Sequence, residues 1–528
     1  MKKQKPSIFN DVIGPIMRGP SSSHVAAAAR IGEIVRQSVN ADIKKIVCDF
    51  DVNGSLAESH DGHGTDMGFA CGILGIPLTD SRVDQYRTLV PENGIDLEYR
   101  ILDYGVEHPN YYRIEVTSGS GKVVHIDAIS TGGGMIDIIK LEGFEISMVG
   151  DYFELCIITD ESPGELCVVE EFLRKEIKSF EMVSISEKDS KFCINLKTSA
   201  NLTEENWFLL DGTWHIIDKY YFTPVLPTRA KADTVVPFCS ASEMLEYNKD
   251  KSLELWELAT IYESVRGATT KEAVFEQMSN LVEIMDTRAK TGLAGTEYED
   301  RILHSQSHKI RENESRLVPG SVMNSVIENI TAIMEAKSSM NVIIAAPTAG
   351  SCGCLPGTLL GVEKSLKTSR EETVKGMLAA GLIGVFFAER ATFAAEVGGC
   401  QVECGAGSGM AAAGVCQMMG GDARECIDAA SMALQGLTGL ACDPVANRVE
   451  VPCLNKNVIG GMNALSCTNM VLAGFDKVIP LDETIDAMYD IGMKLPIELR
   501  CTFGGLGKSE TSLRIRKDLE CISCKGCK

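Results

Sequence analysis

Three cysteines in the last third of the chain, Cys400, Cys442 and Cys453, stand far apart, each in a turn-like setting: GGCQ, ACDP and VPC. Glycine or proline beside or near each one bends the backbone so that a thiolate can be presented. Structural zinc sites prefer paired ligands such as Cys-x-x-Cys, and this pattern is not that. Three thiolates can hold three irons of a [4Fe–4S] cluster and leave the fourth open, as a Lewis acid for a hydroxyl. Separated cysteines carry no metal code of their own, so on spacing alone three buried thiols is the favoured reading. Cys404 is the rival ligand, although its neighbours Glu403 and Gly405 fit a packing role. Cys352 and Cys354 lie in another Gly-rich loop and are not expected to be ligands.

Other side chains offer acid–base and binding chemistry. His24 follows Ser21, Ser22 and Ser23, whose hydroxyls can orient an imidazole and bind a carboxylate. His63 sits between two glycines, before Thr65 and Asp66, and Asp66 is placed to fix its tautomer. For both, a structural or helix-capping role stays open. His60 is expected to be exposed and without consequence. Lys309, in HSQSHKI, is a candidate for a substrate carboxylate or a surface lysine. His304 and His308, four apart, are expected on a solvated helix face. Thr348, Ser351 and Gly353 belong to PTAGSCG, a turn whose N–H and hydroxyl groups can bind an anion, or that simply joins two helices. Asn341 and Asn455 are weaker candidates of the same kind. The C-terminal run holds Cys521, Cys524 and Cys527. A tail thiol, Cys527 first among them, could block an open iron; the three could bind a metal of their own, or form an oxidisable tail.

The elements that must position these residues follow from pattern. The 528 residues, 45% hydrophobic and 23% charged, suffice for several domains with ordinary cores. A net charge of −22 argues against non-specific nucleic-acid binding. No secretory h-region and no long apolar run appear, and Met377–Phe387 reads as a buried helix, so no membrane partner is expected. Nineteen cysteines without a signal peptide suit free thiols in a reducing cytoplasm.

Residues 1–150 mix an Ala-rich helix at His24–Gln37, a strand at Ile43–Val52, a helix from about Asp66 and two strands over Tyr111–Ile129. Residues 151–225 read strand, Pro-Gly turn, helix, strand, strand, the first part of a small α/β sandwich. The turn from Asp160 to Gly164 is expected to cap its helix. A linker falls near 227–233. From 240 to 528 the spacing is helical, interrupted by the Gly/Cys loops. The fold class expected is an α+β N-terminal domain, a small α/β sandwich, then a mostly α-helical domain.

Several long segments, in order, resemble the iron–sulfur-dependent L-serine dehydratases: IGPIMRGPSSSHVAAAARIG, DGHGTD, HPNYYRIEV, STGGGMIDI, AAPTAGSCGCLPG, AEVGGCQVECG and LACDPVANRVEVPCLNKNVIG. In many relatives the two parts are separate subunits; here they are fused. ITDESPGEL more weakly resembles an ACT domain, an amino-acid-sensing fold. The resemblance implies a β-type domain over 1–150, an ACT-like domain over 151–225 and a catalytic domain over 240–528. It implies a [4Fe–4S] cluster on Cys400, Cys442 and Cys453, with Ser23, Thr348, Ser351 and Gly353 binding substrate. His24, His63 and Lys309 are the catalytic candidates, and His24 or His63 would take the Cα proton. The expected activity is L-serine ammonia-lyase, in a cytoplasmic homodimer or larger assembly. Alternatives are an L-cysteine desulfidase, a threonine dehydratase, a non-catalytic amino-acid sensor, or an electron-transfer module, which would want four protein ligands.

Overall fold

The computed structural model describes residues 5–19, 22–61, 64–106, 108–228, 234–298, 301–446, 448, 450–502 and 504–525. Two compact units divide it, one of residues 20–234, the other of residues 235–528 with the first 19. Strand β1 (Ile16–Arg18) therefore belongs with the helical unit below.

The first unit opens with helix α1 (Ser22–Ser38), strand β2 (Ile43–Asp51) and helix α2 (Thr65–Leu74). Strands β3 (Asp96–Leu102), β4 (Tyr111–Ser118), β5 (Val123–Gly132), β6 (Met135–Leu141) and β7 (Phe144–Met148) complete a six-stranded sheet of order β3-β2-β4-β5-β6-β7. Only β2 and β3 run parallel. Alternation sends Ile46, Cys48 and Phe50 of β2 and Ile114 and Val116 of β4 into the core that α1 covers with Ile31, Ile34 and Val35.

Next come β8 (Phe153–Thr159), α3 (Leu166–Glu176), β9 (Phe180–Lys188), β10 (Lys191–Thr198), α4 (Glu204–Thr213) and β11 (Ile216–Phe222). The antiparallel order β11-β8-β10-β9 with two helices is the split βαβ arrangement. Leu155 and Ile157 of β8 face the helices, with Val169, Leu173 and Leu210. Cys156 and Ile158, one residue out of phase, face the core of the six-stranded sheet, so the two sheets share it. The Asp160–Gly164 turn does not cap α3: Glu165 is the N-cap residue and its side chain makes no capping bond. Of the expected linker, residues 229–233 lie outside the described residues.

The helical unit holds α5 (Leu255–Arg266), α6 (Lys271–Ala294), α7 (Ser321–Ser338), β12 (Val342–Ile344), α8 (Cys354–Leu366), α9 (Arg370–Arg390), α10 (Cys404–Met418), α11 (Ala423–Gly436), α12 (Val451–Leu472), α13 (Leu481–Lys494) and α14 (Glu510–Lys525). Ser369 caps α9 and Asp422 opens α11 with a capping box to Glu425. Met377–Phe387 is the buried middle of α9, and every residue of α10 is buried. These central helices cross at Gly376 and Gly414, where a Cβ on either would sit 2.8 Å from the other's carbonyl oxygen. Among the described residues no helix is long and apolar enough to cross a membrane.

The first residues join this unit through specific bonds. Ile8 N–H donates to Glu263 at 2.8 Å, Tyr262 OH to the Pro6 carbonyl at 2.8 Å, and β1 pairs antiparallel with β12. That pairing braces the strand leading into the loop 345–353.

Candidate metal centre

Cys400 sits at the start of a tight turn whose preceding residue, Gly399, has φ +74°. A Cβ at Gly399 would lie 2.8 Å from Leu495 Cδ1 and 3.0 Å from the Leu440 carbonyl, so only glycine presents the thiol here. Gln401 locks the turn: its Nε2 donates to the Met488 carbonyl at 2.9 Å and its Oε1 accepts from Gly439 N–H at 2.7 Å. Cys442 lies in an extended segment laced to residues 499–501. Its N–H donates to the Leu499 carbonyl at 2.8 Å, and its carbonyl accepts from Cys501 N–H at 3.0 Å. Cys453 is in the first turn of α12, just after Pro452.

These turns converge. Cys400 Sγ, Cys442 Sγ and a Glu403 carboxylate oxygen lie within 4.8 Å of one another. Cys404, Cys442 and Cys453 all interact with Cys400 thiol to thiol, and that contact holds the Cys400 thiol far below its ordinary range. The same contact raises the other three, with burial adding to it. Cys352 and Cys354 differ: burial pushes them up to about 11 and about 12, and neither interacts with Cys400. The described cysteines are all free thiols.

The loop 345–353 closes one side. Thr348 Oγ1 donates to Glu403 Oε1 at 2.6 Å, Ser351 N–H donates to Thr348 Oγ1, and Thr348 N–H to Ser351 Oγ, each at 3.2 Å. Desolvation, with the Cys400 thiolate adding to it, pushes the Glu403 carboxyl up to about 8 against the Thr348 hydrogen bond. Gly353 and Cys354 N–H donate to Asn457 Oδ1 at 3.2 and 2.7 Å. Asn457 Nδ2 donates to the carbonyls of Gly350 at 2.8 Å and Cys453 at 2.7 Å. Lys456 Nζ donates to the Ala441 carbonyl and to Asp443 Oδ1, both at 2.6 Å, and lies 3.8 Å from Cys400 Sγ. Burial disfavours that charge, but the Cys400 thiolate and Asp443 outweigh it and hold Lys456 above its ordinary value.

The structure thus brings Cys400, Cys442 and Cys453 together, with Thr348, Ser351 and Gly353 in the adjoining loop. Ser23 and His24 are partly buried on α1, in the other unit. His63 lies outside the described residues, as do Cys527 and the side chains of Cys521 and Cys524. Lys309 is exposed at the start of a four-residue helix, Lys309–Glu312, and none of its bonds reaches the thiols. Asn341 donates to the Ser339 carbonyl at 3.3 Å beyond the end of α7, and Asn455 is exposed.

The expectation for His60 is corrected. Its Nδ1 is 2.6 Å from Asp66 Oδ1, and its ring packs against Phe50 and Tyr99. Asp66 therefore orients His60. The His60 carbonyl also accepts from Thr65 N–H at 2.8 Å, at the first turn of α2.

Sequence reading gave Glu403 only a packing role and passed over Lys456, Asn457 and Cys501. Lys456 and Asn457 had a usable signal, since positions three and four after Cys453 share its helix face. Cys501, whose thiol interacts with Cys442, had none: it arrives through backbone pairing with a segment far earlier in the chain.

Comparison with known proteins agrees with this layout. Residues 250–506 match the family described as serine dehydratase alpha chain. The chain is 35% identical over 285 residues to the "Probable L-serine dehydratase, alpha chain" of Bacillus subtilis, covering 53% of this chain and 95% of that one. It is 35% identical over 183 residues to the "Probable L-serine dehydratase, beta chain" of the same organism, covering 35% of this chain and 81% of that one. Against the "L-serine dehydratase" of Haemophilus influenzae the identity is 25% over 505 residues, covering 92% and 95% of the two chains.

Proposed function

The chain belongs to the L-serine dehydratase family, with both parts fused, and from that premise we propose how its converging thiols serve the reaction. It is an L-serine ammonia-lyase: L-serine loses water to an aminoacrylate, which tautomerises and hydrolyses to pyruvate and ammonia. We propose Cys400, Cys442 and Cys453 as the ligands of a [4Fe–4S] cluster. The observation that carries this is the contact of Cys400 with thiols from two remote segments, in a buried, sulfur-rich donor set of the kind iron–sulfur clusters take. So held, the cluster supplies one iron without a protein ligand, a Lewis acid for an oxygen group.

The remaining roles fall to the chain's own groups. Elimination needs the substrate carboxylate fixed and the Cα proton removed. Thr348, Ser351 and Gly353 are proposed as carboxylate contacts beside the thiols; a carboxylate there would take over donors that now serve Glu403, the turn itself and Asn457. Ser23 and Lys309 are proposed as further carboxylate contacts, and His24 or His63 as the base. The assembly proposed is a homodimer or larger in the reducing cytoplasm, where the thiols stay free.

Anaerobic purification followed by iron and sulfide analysis, with serine added to the spectroscopic sample, tests the reading. A cluster whose spectrum shifts with serine, and pyruvate formed faster from serine than from cysteine or threonine, is the expected result. Iron-free protein with full serine activity would sink it.

A further inference from the structure

Three separate segments carry the proposed ligands, and one side chain, rooted in the third, touches the other two. Lys456 lies three residues after Cys453, on the same face of α12. Its ammonium donates to the carbonyl of Ala441 and the carboxylate of Asp443, the two neighbours of Cys442, at 2.6 Å each. The third contact is Cys400 Sγ at 3.8 Å. Lys456 and Asp443 are only 12% and 14% exposed, so water screens the pair weakly. Asp443 is itself held from outside, its Oδ2 accepting from Leu506 N–H at 3.1 Å.

An ammonium has three N–H donors, and here there are three acceptors. None is left for a substrate carboxylate, which separates Lys456 from the binding loop. We propose that Lys456 is a positioning residue: it gathers the Cys400, Cys442 and Cys453 segments before iron arrives and afterwards places a fixed positive charge beside the cluster. The proposal rests on the cluster reading above. Hydrogen bonds and charge near the ligand sulfurs set both metal retention and reduction potential, so both should respond.

The test compares wild type with Lys456→Met, Lys456→Arg and Asp443→Asn, each reconstituted anaerobically with iron and sulfide, without substrate. Iron release to a ferrous chelator, the cluster's midpoint potential and far-UV circular dichroism are recorded. Expected for Lys456→Met is release roughly 10- to 100-fold faster, the usual cost of losing an outer-shell partner, with a more negative potential and an unchanged fold. Lys456→Arg keeps the charge and returns the potential toward wild type. If the Met variant does not fold, Asp443→Asn carries the test: it leaves the lysine in place but removes the charge that anchors it beside Cys442, and release should again quicken. Wild-type release from the folded Met variant, or from Asp443→Asn if that is the one that folds, overturns the proposal. A wild-type chain that takes up no iron and sulfide sinks the cluster reading itself, whereas a loaded wild type beside an indifferent variant sinks only this inference.

Discussion

Thr348 Oγ1 donates to Glu403 Oε1 at 2.6 Å, and this bond fastens the loop 345–353 to the residue between Cys400 and Cys404. The proposed anion-binding turn and the proposed cluster are thus one structure. Thr348→Val keeps the shape and removes the donor. A hydrogen bond to an ionisable group is worth about 2 kcal/mol, which in kcat/KM is roughly 30-fold. The loss should appear with serine as substrate, and Thr348→Ser should restore most of it. Wild-type kinetics in the Val variant would show that the bond does not position the loop.

Asn457 does for the backbone what Thr348 does for a side chain. Its amide accepts from two N–H groups of the loop and donates to one carbonyl in the loop and one at Cys453. Asn457→Ala leaves those four buried groups to find other partners, at about 1–3 kcal/mol for each that fails. The expected result is a fall in kcat/KM of roughly 100-fold or more together with lower iron content. Asn457→Asp keeps the acceptor and loses the donors, so it should fall between Ala and wild type in iron content.

How far this was legible from sequence can be read off particular residues. The buried strand read over Ile43–Val52, the strand pair over Tyr111–Ile129 and the apolar run Met377–Phe387 stand as β2, as β4 with β5, and as the middle of α9, because apolar runs and a strand–turn–strand pattern are local signals. The GGCQ and VPC turns marked thiols held out by the backbone, although pattern alone could not show that they meet. Convergence is a tertiary fact, made by glycine-permitted crossings such as Gly376 with Gly414 and by the Cys442 pairing with residues 499–501. Asn455 was singled out where Asn457 is the residue used. The error is half a helical turn: position 455 points to solvent and 457 inward. His60 was set aside because nothing in the local pattern shows that its ring meets Asp66, six residues on.

Glu154 gives a prediction in pH. It is fully buried on β8, 3.3 Å from Lys197 Nζ, and accepts from Asn195 Nδ2 at 3.0 Å. Burial dominates and pushes its carboxyl up from 4.5 to about 7, against the lysine and the amide. The folded form therefore binds this proton more tightly than the unfolded chain. Between about pH 4.5 and 7 the unfolded state has lost the proton and the folded state keeps it, so this group's contribution to stability falls as pH rises. The fall is roughly 3 kcal/mol across the window and levels off above it. Trp207 and Trp214 both pack beside this sheet, so urea unfolding followed by tryptophan fluorescence at pH 5 and pH 7.5 reads it. Glu154→Gln should show a smaller difference between the two pH values than wild type; an equal difference would assign the effect elsewhere.

Cys404 is the sharpest discriminator among the thiols. It interacts with Cys400, as Cys442 and Cys453 do, so proximity alone makes it a fourth candidate ligand. Its surroundings differ, however. Cys404 shares a turn with Cys400 and already receives Asn457 Nδ2 at 3.6 Å, whereas Cys442 and Cys453 come from separate segments that Lys456 ties together. A cluster with one iron left open needs three thiolates, and Cys400, Cys442 and Cys453 supply them from three separate segments. Replacing Cys404 by Ala should therefore leave iron and sulfide per chain near the wild-type value, with stability lowered by about 1–2 kcal/mol for the lost packing. Replacing Cys400, Cys442 or Cys453 by Ala should abolish cluster uptake, and Cys352→Ala and Cys354→Ala should load normally. If the Cys404 variant loses iron as completely as the Cys453 variant, the ligand set is not the three cysteines proposed, and Cys404 enters it.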